Sequence, residues 1–158
     1  MALVKATMMM ELAGTFASTN SDAMKPGKDI ANAYEKYLKM GMNAGGFPAA
    51  AVGTTSAAGQ AIGGVFAMKL PVGASIGTLI GSHLLSMALT FTSTNQIGPP
   101  VAAPSHTPQL IQLFSGPKNT GMDFAKELAG ILDDWTKTWV VSGLIPGAPP
   151  VPFSGPLS

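Results

Sequence analysis

The sequence contains no cysteine and no arginine, and only two histidines. Each shortage removes a class of function. Without cysteine there is no disulfide framework and no thiolate metal site. All nine basic residues are lysine, so the planar fork that reads phosphates and bases in pairs is missing. With a net charge of +1, no basic patch can be drawn either, and sequence-specific nucleic-acid binding is not expected. Charge of both signs is scarce as well. Charged residues make up 11% of the chain, against about 25% in an ordinary globular domain. A monomer this poor in charge lacks the usual source of solubility. A surface covered by copies of the chain, by partners or by lipid therefore fits the composition better.

Apolar residues make up 46% of the 158 positions, enough for one core. The start, "MALVKATMMMELAG", has one lysine and is interrupted by Glu11, which is not the order of a secretory signal. Charge is placed unevenly. Nine charged residues lie within 1–39 and seven within 118–137, and between Met40 and Pro117 only Lys69 is charged. The pattern predicts two amphipathic ends around a neutral Gly/Ala/Thr-rich middle, 43–117, followed by a proline-rich tail.

Helices are expected over Ala2 to Ser18 and over Lys28 to Met42, where Ile30, Tyr34, Tyr37 and Leu38 recur at helical spacing. "STNSD" supplies caps and a turn between them, and Glu35 is set to pair with Lys39 one turn on. A small-residue helix follows from Ser56 to Met68, then a turn at Lys69 to Pro71 and a longer helix to Thr92. "NQIGPPVAAPSHTP" reads as an extended connector, with His106 as a loop residue. "PQLIQLF" is a short helix. Met122 to Val141 form the clearest amphipathic helix, with Phe124, Leu128, Ile131, Trp135 and Trp139 on one face. The expected fold is therefore mostly α. It is a helical domain over 1–141 of about four to six helices, with a glycine-faced central helix and an extended Pro-rich C-terminal arm over 142–158. In that arm Pro146, Pro149, Pro150, Pro152 and Phe153 are candidates for contact with a neighbour.

The central helix places Gly73, Gly77 and Gly81 one turn apart, a stripe that lets backbones approach closely. Two environments fit it. A 22-residue helix from Leu70 would reach about 33 Å, enough for a hydrocarbon layer of roughly 30 Å. With the preceding segment it would make a hairpin over about 47–92, as in a holin-like or pore-forming protein of the inner membrane. Against this, Ser75, Thr78, Ser82, His83, Ser86 and Thr90 lie on the same helix, and no lysine cluster or tryptophan borders it. The favoured environment is protein: Gly73, Gly77 and Gly81, with Tyr34, Tyr37, Phe124, Leu128, Trp135 and Trp139, pack helices or subunits together.

No motif names a reaction. G-x-G-x-x-G and G-K-[ST] are both missing. His83 and His106 have no cysteine or carboxylate at ligand spacing. Asp133 and Asp134 diverge by about 100° on a helix and read as a solvated face. No catalytic residue, cofactor or metal is expected.

The helix "DIANAYEKYLKMG", the neutral middle, and "DFAKELAGILDDWTKTWVVSG" running into a Pro/Gly tail resemble the small structural proteins of tailed-bacteriophage particles. The resemblance covers the two ends of the chain and rests on their style. It implies a non-enzymatic, symmetric, self-assembling component of a tail, baseplate, neck or capsid surface. Such a component sits in the virion, is assembled in the host cytoplasm, and has copies of itself and other particle proteins as partners.

Overall fold

A computed structural model describes residues 3–17, 21–68, 72–117 and 120–158. The expected caps at 18–20, the turn at 69–71 and part of the turn at 118–119 lie outside the described residues. The fold is mostly helical, with six helices among the described residues. These are α1 (Lys5–Phe16), α2 (Met24–Lys39), α3 (Thr55–Ala67), α4 (Gly73–Leu89), α5 (Thr107–Ser115) and α6 (Gly121–Thr136). Each packs on the next, and α6 returns to α1, so the helices close into a ring.

Local chemistry sets the ends of several helices. Asp22 accepts a bond from the Met24 amide at 2.8 Å ahead of α2, and Pro26 sits in the first turn, where its missing N–H costs nothing. Thr120 caps α6 by accepting from the Asp123 amide at 3.1 Å and donating to the Asp123 carboxylate at 2.8 Å. Lys36 and Lys39 occupy the last turn of α2, where positive charge suits the helix dipole. The expected pair between Lys39 and Glu35 is present at 2.6 Å.

Three pairs of helices meet backbone to backbone where glycine makes this possible, one of them α1 and α6, where Gly121 lies against the Phe16 carbonyl. Between α2 and α3, a Cβ on Gly63 would stand 2.7 Å from the Met24 carbonyl, and Gly27 faces Gly63 at closer range still. Between α4 and α5, a Cβ on Gly77 would stand 2.6 Å from Ile111, and one on Gly81 would stand 2.9 Å from the Thr107 hydroxyl. Gly73 lies against the Phe114 carbonyl. The stripe is thus spent within the chain, on α5.

Two short antiparallel ladders complete the fold. Strand β1 (Ala49–Val52) pairs with β2 (Phe91–Ser93), and β3 (Val141–Ile145) pairs with β4 (Val151–Gly155). The connector after β2 runs along the free side of β3 through the pairs Gln96–Gly143 and Val101–Val140. Asn43 ties this region together. Its Nδ2 donates to Ser93 Oγ and the Thr94 carbonyl, and its Oδ1 accepts from the amides of Gly45 and Phe47. All four bonding positions of a buried amide are satisfied.

Three expectations are corrected. The central helix ends at Leu89, not Thr92, because Phe91 to Ser93 are a strand. The last helix ends at Thr136, so Trp139 lies beyond it in the link to β3. The C-terminal segment is extended as expected but is not an arm free to reach a neighbour. It folds back as a hairpin on its own chain, with Phe153 and Leu157 buried and Ser158 pairing with Met42 through both backbone groups. Proline tolerates this because Pro146, Pro149 and Pro150 fall in the turn and Pro152 falls on an edge strand.

Candidate functional site

The reactive side chains converge in one place, the aromatic centre of the ring. Tyr34 and Tyr37 come from α2, and Trp135 and Trp139 from the end of α6 and just past it. All four are buried. Tyr34 stacks on Tyr37 and Trp135 with ring centroids 6.1 and 6.2 Å apart, and Trp135 meets Trp139 edge-on at 5.0 Å. Leu128 is fully buried beside them. Phe124 is half-buried and joins Phe16 and Phe114, at 4.6 and 5.2 Å, into a second aromatic group. Every aromatic or glycine candidate for helix packing is therefore engaged inside the chain.

Polar atoms thread through this centre in a fixed order. Thr136 Oγ1 donates to the Leu132 carbonyl at 2.7 Å, which uses its single hydrogen. It must then accept from the Tyr34 hydroxyl, 2.7 Å away. Tyr37 donates to Asp133 Oδ1 at 2.5 Å, and Lys137 donates to Asp133 Oδ2 at 2.8 Å. Asp133 is thus buried and doubly bonded, and only Asp134 lies on the solvated face expected of both. Burial pushes both phenols up, and for Tyr37 the neighbouring Asp133 carboxylate adds to the rise. Neither tyrosine offers a phenolate near neutral pH. The arrangement stabilises the fold and presents no nucleophile.

His106 is fully buried, not in an open loop. Its ring stacks on Trp135 at 3.6 Å, and Nε2 lies 3.0 Å from the Gly81 carbonyl. A carbonyl only accepts, so Nε2 carries the proton and Nδ1 is a buried lone pair without a partner. Burial holds its pKa down at about 4, opposed by the Gly81 bond. A Cβ on Gly81 would stand at an ordinary 3.6 Å from Nε2, and its tight contact would be the Thr107 hydroxyl at 2.9 Å. The sequence carried one signal for this. "SHTP" immediately precedes a helix with proline in its first turn, which makes His106 a helix-start residue and not a linker. His83 is half-buried on α4, with its pKa lowered by burial.

Among the described residues no cluster of His, Asp and Glu has metal-holding geometry. Surface clefts are shallow and lined by ordinary polar groups. One of about 290 Å³ between α2 and α3 is bordered by Lys28, Asn32, Glu35, Thr55, Ser56 and Gln60. Another, near Thr15, contains Lys25, Asp29, Glu11 and Lys36, whose charges pair with one another at 2.6 and 2.9 Å.

The surface has a stronger pattern than the clefts. Every described charged residue lies on α1, α2, α6, the turn before α2 or the residue capping α6. These three helices are neighbours in the ring. Helices α3, α4 and α5 and all four strands carry no charge. The uneven charge of the sequence thus becomes a charged half and a neutral half of the helix ring, with neutral strands beside it. No protein-family model, curated protein or solved structure matches the chain.

Proposed function

We propose that the chain is a non-enzymatic structural protein that works in multiple copies, as a component of a tailed-bacteriophage particle in its tail, baseplate, neck or capsid surface. The observation that carries the reading is the neutral part of the molecule. It exposes large apolar side chains, among them Ile97 and Val101 at 61% and 71% of their surface. A contiguous exposed apolar surface of this kind marks a site of interaction. In an assembly, copies of the chain and other particle proteins cover it. The charged half, laced by ion pairs on α1, α2 and α6, then faces solvent. The style of the two ends, which resembles phage structural proteins, supports the same reading, with the virion as the location it implies. The buried tyrosines, Asp133 and His106 act as internal fasteners of this building block.

A pore-forming hairpin over 47–92 gains no support from the geometry. Its glycine faces are occupied by α2 and α5. Among the described residues no helix is long and apolar enough to cross a membrane; α4 has 17 residues, about 25 Å at 1.5 Å each. Fractionation tests the choice. The untagged chain, expressed in bacteria and separated into soluble and membrane fractions, is expected as soluble multimers. Recovery only with detergent would overturn the proposal.

A further inference from the structure

The connector, β3 and β4, all without charge, share one apolar sheet face. The pairing defines it. Val101 lies opposite Val140, and Leu144 lies opposite Pro152. Ile97 donates its amide to the Ser142 carbonyl at 2.8 Å. Along β3 the side chains alternate, with Val141 and Gly143 buried and Val140, Ser142 and Leu144 outward. The outward face thus collects Ile97, Val101, Val140, Leu144 and Pro152, with a pair of serines, Ser142 and Ser154, bonded to each other at 2.9 Å.

The tip of the hairpin extends this face beyond its own core. Ile145 and Val151 are paired and belong to the inward side, in line with buried Val141 and Phe153. Yet 38% and 55% of their surfaces are exposed. The hairpin has run past the helices that cover the rest of it, so its tip is apolar on both sides. The nine residues from Leu144 to Pro152 contain no charge and no side-chain hydrogen-bonding group. From Ile145 to Val151 the connector no longer lines β3, and a two-stranded tip is marginal in water unless a further layer packs on it.

We propose that this face, centred on Val101, Val140 and Leu144 and ending at the hairpin tip, is where a second copy of the chain docks. The inference rests on the assembly reading and locates its contact. Area and charge together indicate the occupant. On the outward face Ile97, Val101, Val140 and Leu144 leave 38% to 71% of their surface open. That is on the order of 400 Å², and wrapping of the hairpin tip with its exposed prolines, Ile145 and Val151 brings it toward the roughly 800 Å² per partner of a stable interface. No charged residue lies between Thr138 and Ser158, or between Leu70 and Pro117. A partner with a charged surface would lose hydration here without gaining a counter-charge, whereas an identical neutral surface matches it. Docking proceeds face to face and not by strand addition. Pro152 has no N–H to offer and stands on the outer edge of β4, where it blunts that edge.

The test uses single lysines at exposed positions, with circular dichroism to confirm that each variant keeps the fold. Leu144→Lys and Val101→Lys are each expected to reduce the light-scattering mass from a multimer to 16.1 kDa at tens of micromolar. Met10→Lys, on the charged half and 69% exposed, is expected to leave the multimer intact. A multimer unchanged by both sheet-face lysines would overturn this interface while leaving the assembly reading standing. A wild-type mass of 16.1 kDa at every concentration would overturn both. A wild-type monomer that floats with phosphatidylcholine vesicles, and loses this with Leu144→Lys, would assign the face to lipid and overturn the docking of a copy.

Discussion

His106 is the residue whose environment is furthest from what its neighbours in sequence suggest. It is a neutral imidazole, fully buried against Trp135, with its one available proton on the Gly81 carbonyl. Its folded pKa of about 4 lies below the ordinary value of 6.5. Between those two values the unfolded chain takes up a proton that the folded chain refuses. Stability from this group is therefore complete above about pH 6.5 and is lost as pH falls toward 4, by on the order of 3 kcal/mol. His83, also depressed, adds in the same direction. Urea unfolding followed by tryptophan emission at pH 7.5 and 4.5 should show this loss, and His106→Gln should reduce the difference between the two pH values. Tyr37 gives a second test. Tyr37→Phe removes one of the two donors to buried Asp133. It is expected to lower stability by about 1–3 kcal/mol, the cost of an unmet buried acceptor, read as a lower urea midpoint.

Among the elements, the helices were the legible part of the sequence. Apolar spacing located α2 and α6, and Gly73, Gly77 and Gly81 marked α4 as a helix needing a close neighbour. Nothing local says which neighbour. That α5 fills the groove, and not a second subunit, depends on a chain reversal through a proline-rich connector, and periodicity does not register such a turn. The strands were missed for a related reason. β1 and β2 are three or four residues each, too short for an alternating pattern, and their pairing joins positions about forty apart. The five prolines of the tail pointed away from a ladder, yet each sits where no N–H is required. Trp139 read as helical because it falls one turn after Trp135. The residues reach the same aromatic cluster by different backbones.

The glycines of α3, α4 and α6 make this packing testable. Gly77→Ala would put a methyl 2.6 Å from Ile111 and is expected to lower stability by about 1–3 kcal/mol through overpacking. Gly64 and Gly130 are also helical, but nothing lies within 4 Å of an added methyl. Gly64→Ala and Gly130→Ala should each raise stability by about 0.5–1 kcal/mol through backbone entropy and helix propensity. Thermal unfolding of the three variants side by side separates the two kinds of glycine. Equal destabilisation of all three would contradict the backbone-contact account.

At the scale of the whole molecule, charge is the organising feature. The sequence showed it as blocks at 1–39 and 118–137, and the fold turns those blocks into one half of the helix ring. Helices α3, α4 and α5 and the hairpin carry no charge and are partly apolar. Contacts made there owe little to Coulomb attraction, so raising salt to about 1 M should not dissociate the multimers. An assembly held by its lysines would come apart under the same treatment. The identity of the surface was less legible than the fold, because pairing across the connector and β3 is what gathers Ile97, Val101, Val140 and Leu144 onto one face.

The central claim is that this neutral part is covered by other copies of the chain. A dilution series of the untagged protein in sedimentation velocity tests it most directly. The account predicts species heavier than 16.1 kDa that grow with concentration and shrink on dilution. A single 16.1 kDa species across the whole range, soluble without detergent, would contradict it.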